Sequence, residues 1–173
     1  MRHLGLTREE FMQKAYDMSY EREKIFGGCS QAIVSTFQDL LGLKDCYALK
    51  MATPFAGGIA RQGMICGALI AGVMVIGMKY GRSNLEDFEA IQRTYSPVQK
   101  LCAMFKDEFG SFNCRDITEL NLLDLEQMKY FFTSGRHDKE PPETVGKVAR
   151  MVASVLYDRE QELMFDISKV KEG

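Results

Sequence analysis

Cysteine is the residue type in this chain whose number and placement could support chemistry. The 173 residues include five cysteines, Cys29, Cys46, Cys66, Cys102 and Cys114. No two of them are spaced as C-x-x-C, so the pattern predicts neither a zinc ribbon nor a thioredoxin-type redox loop. Because only two histidines are present, His3 and His137, a zinc site of cysteines and histidines is also disfavoured. What remains is thiol chemistry, either disulfide exchange or binding of a soft metal ion by thiolates.

Three of the cysteines stand at informative places in the predicted elements. Cys29 follows two glycines at the predicted start of a helix, where backbone N–H groups would lower the pKa of its thiol. Cys114 precedes a short helical piece that begins at Arg115. Cys66 is predicted one turn inside an apolar helix, where a cysteine can serve as a small core residue. Taken one at a time, all three also fit a structural role.

The elements that must position these residues are helices. Strand-type alternation never persists for five residues, whereas apolar residues recur at helical spacing. Predicted helices cover about 8–25, 30–41, 45–51, 64–78, 83–109 with an interruption at Pro97, a short piece from 115, 124–132 and 143–165. The first is opened by a capping box at Thr7–Glu10, and a second capping box is predicted at Ser83–Glu86. Charged residues of the first and last helices are predicted to form solvated faces.

The apolar stretch 64–78 is predicted to be a buried central helix. It carries no charge but is too short to span a bilayer. Gly63, Gly67 and Ala71 recur four residues apart, which would let another backbone, or equally a ligand, approach one face. The fold predicted for residues 1–173 is therefore a single all-α domain, a bundle of about seven helices around a Gly-rich centre.

Composition excludes several function classes. The net charge of −2 and pI near 5.8 argue against nucleic-acid binding. The N-terminus has no apolar run of signal-peptide length, so we expect a cytoplasmic protein without membrane insertion. The apolar face of the last helix could pack on the core or on a second chain, which leaves a homodimer open. No phosphate loop, dinucleotide fingerprint or nucleophile elbow is present, and no cofactor-binding set can be assigned.

Three segments in order carry a resemblance to a known family. They read GGCSQA at 27–32, ATPFAGGIAR at 52–61 leading to MICGALIAGVMVIG at 64–77, and FGSFNCRD at 109–116. Over about residues 16–120 the chain resembles the C-GCAxxG-C-C family, small helical proteins described as redox-active. It departs from the family pattern where Ala71 replaces a glycine, and no cysteine follows Cys114.

The resemblance implies that Cys29, Cys66 and Cys114 meet at one site. Cys102 would be its fourth member, in place of the missing cysteine, and Cys46 a bystander. The leading hypothesis is a thiol-dependent oxidoreductase with an unknown redox partner, in which Cys29 attacks or is attacked and Cys66 or Cys114 resolves the mixed species. The alternatives are a metal or iron–sulfur protein that uses the same cysteines, and a non-catalytic helical interaction subunit.

Overall fold

The computed structural model describes residues 5–43 and 45–171, with side chains described up to residue 163. His3 therefore lies outside the described residues. The helices are α1 (Arg8–Phe26), α2 (Cys29–Leu41), α3 (Cys46–Ala52), α4 (Gly67–Tyr80), α5 (Phe88–Phe109), α6 (Cys114–Thr118), α7 (Leu125–Thr133) and α8 (Glu140–Lys171). Within these ranges there is no strand, only one isolated antiparallel bridge between Ile65 and Asn113. The predicted all-α fold is confirmed.

Several helix ends follow directly from their capping residues. The Thr7 side chain accepts a hydrogen bond from the N–H of Glu10, and the Glu10 carboxylate accepts one from the N–H of Thr7, which confirms the first capping box. Asp45 and Asp124 each accept a backbone N–H at the start of α3 and α7. Gly42 ends α2 in the left-handed conformation that glycine adopts without steric cost.

Two predicted helix starts are wrong. Helix α4 begins at Gly67 rather than at 64, because residues 64–66 pair with the segment around Asn113 instead of continuing the helical ladder. Helix α5 begins at Phe88, where Asp87 accepts the N–H of Ala90, so Ser83–Glu86 does not open a helix.

Of the two outcomes predicted at Pro97, a kink or a restart of the helix, the restart is absent, since α5 runs through this residue as a single helix. Helix α8 begins at Glu140, three residues earlier than predicted, and places its two prolines in the first turn.

The central helix α4 is buried among α2, α5 and α8, while α1 lies along α8. Gly72 makes the close packing possible, because a Cβ there would come within 2.8 Å of both Leu101 Cδ2 and Val152 Cγ2. At the α1–α8 contact, the Arg8 guanidinium pairs with Asp158 at 2.9 Å. The predicted apolar face of α8 is largely buried within the chain itself. None of the helices in the described ranges is long and apolar enough to cross a membrane.

Candidate thiol site

A cavity of about 830 Å³ is lined by Cys29, Cys66 and Cys114 together. Cys29 is the first residue of α2, Cys66 immediately precedes α4, and Cys114 is the first residue of α6. All three therefore stand at helix starts, although they come from segments far apart in the sequence. The prediction that Cys66 lies one turn inside a helix is wrong, because α4 starts after it.

The short antiparallel pairing fixes Cys66 against Cys114. The N–H of Cys66 donates to the Phe112 carbonyl at 2.8 Å, and the N–H of Cys114 donates to the Met64 carbonyl at 2.7 Å. In this pairing Cys66 lies opposite Phe112, and Cys114 follows Phe112 by two residues. Because side chains two residues apart on an extended chain lie on the same face, Cys66 and Cys114 are diagonal neighbours on one face. Diagonal neighbours in such pairs have Cα atoms about 7–8 Å apart, close to the limit for a disulfide.

A left-handed turn completes the wall of the cavity next to Cys29. Residues 57–61 all have positive φ, and three of them, Ile59, Ala60 and Arg61, are not glycine. A left-handed conformation costs a non-glycine residue roughly 1–2 kcal/mol. The sequence indicates a flexible turn at Gly57 and Gly58 but gives no signal for the next three residues. Hydrogen bonds to nearby residues accompany this conformation, among them the bond from the N–H of Ala60 to the Pro54 carbonyl at 2.7 Å and that from the N–H of Met64 to the Gly58 carbonyl at 3.1 Å.

Two glycines allow the backbone to approach the sulfurs closely. A Cβ on Gly67 would lie 2.5 Å from the Phe55 carbonyl oxygen and 2.7 Å from Cys29 Sγ. A Cβ on Gly58 would lie 2.7 Å from Cys114 Cβ. A side chain at Gly58 or Gly67 would therefore overlap the residues that form the cysteine site. The sequence predicted a close approach at Gly67, and the groups that approach it are the Phe55 carbonyl and the Cys29 sulfur.

Burial raises the pKa of all three thiols. The effect is strong at Cys29, where the N–H of Gly57 opposes it in part, and it brings the pKa of Cys114 to about 12. At Cys66 burial again raises the pKa, and the N–H groups of Ala68 and Leu69 at the start of α4 oppose it. The predicted lowering of the Cys29 pKa is therefore wrong, because desolvation outweighs the helix start.

The cavity is also lined by a buried carboxyl group that the sequence did not single out. Glu23 lies on α1, is only 5% exposed and lines the cavity. Its Oε2 atom has no hydrogen-bond partner among the described residues, and burial raises its pKa to about 7. The predicted solvated face of the first helix is thus interrupted at this residue. Its spacing from Phe11, Ala15 and Ser19, which are all buried, was the available signal.

Aromatic and cationic side chains also line the cavity. Phe131 and Phe132 are among them, and both contact the His137 ring, with centroid separations of 5.4 and 4.5 Å. Arg136 is another lining residue and is held by Glu140 at 2.6 Å. The cavity thus combines three thiols with aromatic side chains, and a partner's side chain or a small molecule could enter it.

The two other cysteines lie elsewhere. Cys102 is on α5, packed in part against the main core, and does not line the cavity. Cys46 is exposed at the start of α3. In the part of the chain that the structure describes, no group of three or more His, Cys, Asp or Glu side chains is arranged to hold a metal ion.

Comparison with known proteins identifies the family of this chain. A family model described as "Putative redox-active protein (C_GCAxxG_C_C)" matches residues 28–155, a range that contains the three lining cysteines. The chain belongs to this family. A protein of Archaeoglobus fulgidus, titled "Uncharacterized protein", is 37% identical over 87 residues, which cover 46% of this chain and 57% of the relative. The chain thus matches little more than half of that relative's length, and no solved structure matches it.

Proposed function

We propose that this family member is a thiol-dependent redox protein whose reactive groups are Cys29, Cys66 and Cys114. The observation that carries the proposal is that three cysteines from separate segments line one cavity. All five cysteines are free thiols, which suits a reducing compartment such as the cytoplasm.

The reaction is an exchange with the disulfide of a partner. The Cys29 thiolate attacks one sulfur of the partner disulfide, which breaks that bond, forms a mixed disulfide and releases one partner thiolate. A second thiolate, from Cys66 or Cys114, then attacks Cys29 Sγ and releases the other partner sulfur. The protein loses two electrons and two thiol protons, and the partner disulfide gains both to become two thiols.

Disulfide chemistry fits these cysteines better than metal binding. A metal ion needs several ligand side chains around one point, whereas thiol exchange needs only an attacking and a resolving cysteine. A disulfide carries no charge, so the oxidised state suits an apolar cavity. In the described residues, no three His, Cys, Asp or Glu side chains are arranged to hold a metal ion.

Thiol–disulfide exchange can be tested with single cysteine variants. The reduced protein is treated with 4,4′-dithiodipyridine, quenched with acid and analysed by mass spectrometry for an internal disulfide. We expect Cys29→Ser to abolish that disulfide, and either Cys66→Ser or Cys114→Ser to trap a mixed species on Cys29. Cys46→Ser is the matched control and should behave as the parent. If the parent forms no internal disulfide, or if metal analysis finds a stoichiometric metal on the thiols, the proposal fails.

A further inference from the structure

Glu23 is a buried carboxyl group near the end of α1. Its side chain lies 95% out of solvent, and Oε2 makes no hydrogen bond within the described part of the protein. Its backbone carbonyl ends α1 by accepting the N–H of Gly27 at 2.8 Å, so the side chain has no part in the cap. Leaving a buried carboxyl oxygen unsatisfied costs about 1–3 kcal/mol, so a structural role alone does not account for it.

The carboxyl group is directed at the thiol site. Glu23 lines the same cavity as Cys29 and Cys66, and its negative charge contributes to the raised pKa of both thiols. The link is short, because only the end of α1 and two glycines separate Glu23 from Cys29 along the chain. A carboxyl group that lines the same cavity as two thiols is suited to exchange protons with them, directly or through one water molecule.

We propose that Glu23 is the proton acceptor that converts Cys29, and then the resolving cysteine, into thiolates. This inference rests on the proposed thiol exchange and deepens it. Ionised Glu23 takes the thiol proton of Cys29 as Cys29 Sγ attacks the partner disulfide. The neutral carboxyl group then returns that proton to the departing partner thiolate. It next accepts the proton of the resolving cysteine and passes it to the second partner sulfur as that sulfur leaves. One carboxyl group thereby relays both protons without being consumed.

The charges around α1 leave Glu23 free to titrate near neutrality. Helices α2 and α8 pack on α1, and charged side chains on their described residues have partners other than Glu23. These pairs are Asp39 with Arg22, Glu140 with Arg136, Glu143 with Tyr16, Lys147 with Glu108, Arg150 with Glu9 and Asp158 with Arg8. In the cavity, Arg61 contacts Met128 and His137 contacts Asp138. Burial is the cause that raises the pKa of Glu23 to about 7.

The proposal is tested by the pH dependence of internal disulfide formation in Glu23→Gln. Glu21→Gln is the matched control, since it removes an exposed carboxylate from the same helix. With 4,4′-dithiodipyridine as oxidant, the parent and the control should show a rate that rises with pH and levels off above about 7. We expect Glu23→Gln to react about 100-fold more slowly at pH 8 and to lose the inflection, as is typical when a general base is removed.

The outcomes separate this inference from the proposed function. If Glu23→Gln forms the disulfide at the parental rate with the parental pH profile, Glu23 is not the proton acceptor, although the thiol exchange stands. If no protein forms the disulfide, the exchange itself fails. Should Glu23→Gln not fold, an infrared titration of the parent provides the test. A protonated carboxyl band that disappears near pH 7 and moves when the cysteines are alkylated supports the relay, and a band unaffected by alkylation contradicts it.

Discussion

The burial of Glu23 has a consequence for stability that does not depend on any reaction. Its pKa is about 7 in the folded protein and near 4.5 in an exposed chain. Between these pH values the unfolded chain ionises this carboxyl group while the folded protein keeps it neutral. The stability associated with the neutral group is present below pH 4.5 and is lost as the pH rises through about 7. Because one pKa unit is worth about 1.4 kcal/mol, the loss amounts to about 3 kcal/mol.

Glu23→Gln removes this titration and conserves the side-chain shape. We therefore expect the free energy of unfolding of the variant, relative to the parent, to increase by about 3 kcal/mol between pH 4 and pH 8. Urea denaturation followed by helical circular dichroism at pH 4, 5, 6, 7 and 8 measures this difference, and Glu21→Gln serves as the control. If the difference between parent and Glu23→Gln stays constant across this range, Glu23 is not a buried carboxyl group without a partner, and the reasoning is refuted.

Three further predictions concern the close approach at Gly67, the left-handed turn and the capping box of α1. Gly67→Ala should destabilise the protein by about 1–3 kcal/mol, since its Cβ would overlap the Phe55 carbonyl, whereas Gly77→Ala, in open space on the same helix, should stabilise it by up to about 1 kcal/mol. Equal effects in urea denaturation would contradict the close approach at Gly67. Ala60→Gly should stabilise the protein by about 0.5–1 kcal/mol in the same assay by relieving a left-handed alanine, and a loss of stability would contradict that conformation. Thr7→Ala should lower the free energy of unfolding by about 1 kcal/mol by breaking the capping box, and an unchanged value would show that the box is not formed in solution.

Much of the helical layout follows from local sequence. Apolar residues at helical spacing locate the helices, and capping residues such as Thr7, Asp124 and Gly42 set their ends. These signals are reliable because each depends on hydrogen bonds between residues a few positions apart.

One error arises where a distant segment decides the local structure. Residues 64–66 look helical because they are apolar and precede a true helix, but pairing with the segment around Asn113 holds them extended. The left-handed conformation of Ile59–Arg61 was missed for another reason: its backbone hydrogen bonds go to residues 54–56, but these residue types give no hint of it. The error at Ser83–Glu86 has a local cause instead, since Asp87 accepts the N–H of Ala90 and α5 begins only after it.

The candidate site was predictable in part. The ordered cysteine segments indicated Cys29, Cys66 and Cys114, and one cavity is lined by all three. Glu23 was missed because its charged neighbours suggest a solvated face, although it continues the spacing of the buried residues Ala15 and Ser19. Its environment is created when the start of α8 and the turn at 57–61 meet α1. The sign of the thiol pKa shift was also out of reach, since it depends on how deeply each sulfur is buried.

Disulfide mapping tests the central claim most directly. The reduced protein is oxidised by a small excess of 4,4′-dithiodipyridine, its remaining thiols are alkylated, and its peptides are analysed by mass spectrometry. The proposed redox function predicts an internal disulfide that joins Cys29 to Cys66 or to Cys114, with Cys46 and Cys102 excluded from it. A disulfide that involves Cys102 or Cys46 instead, or five thiols that react independently with no internal disulfide, would contradict it.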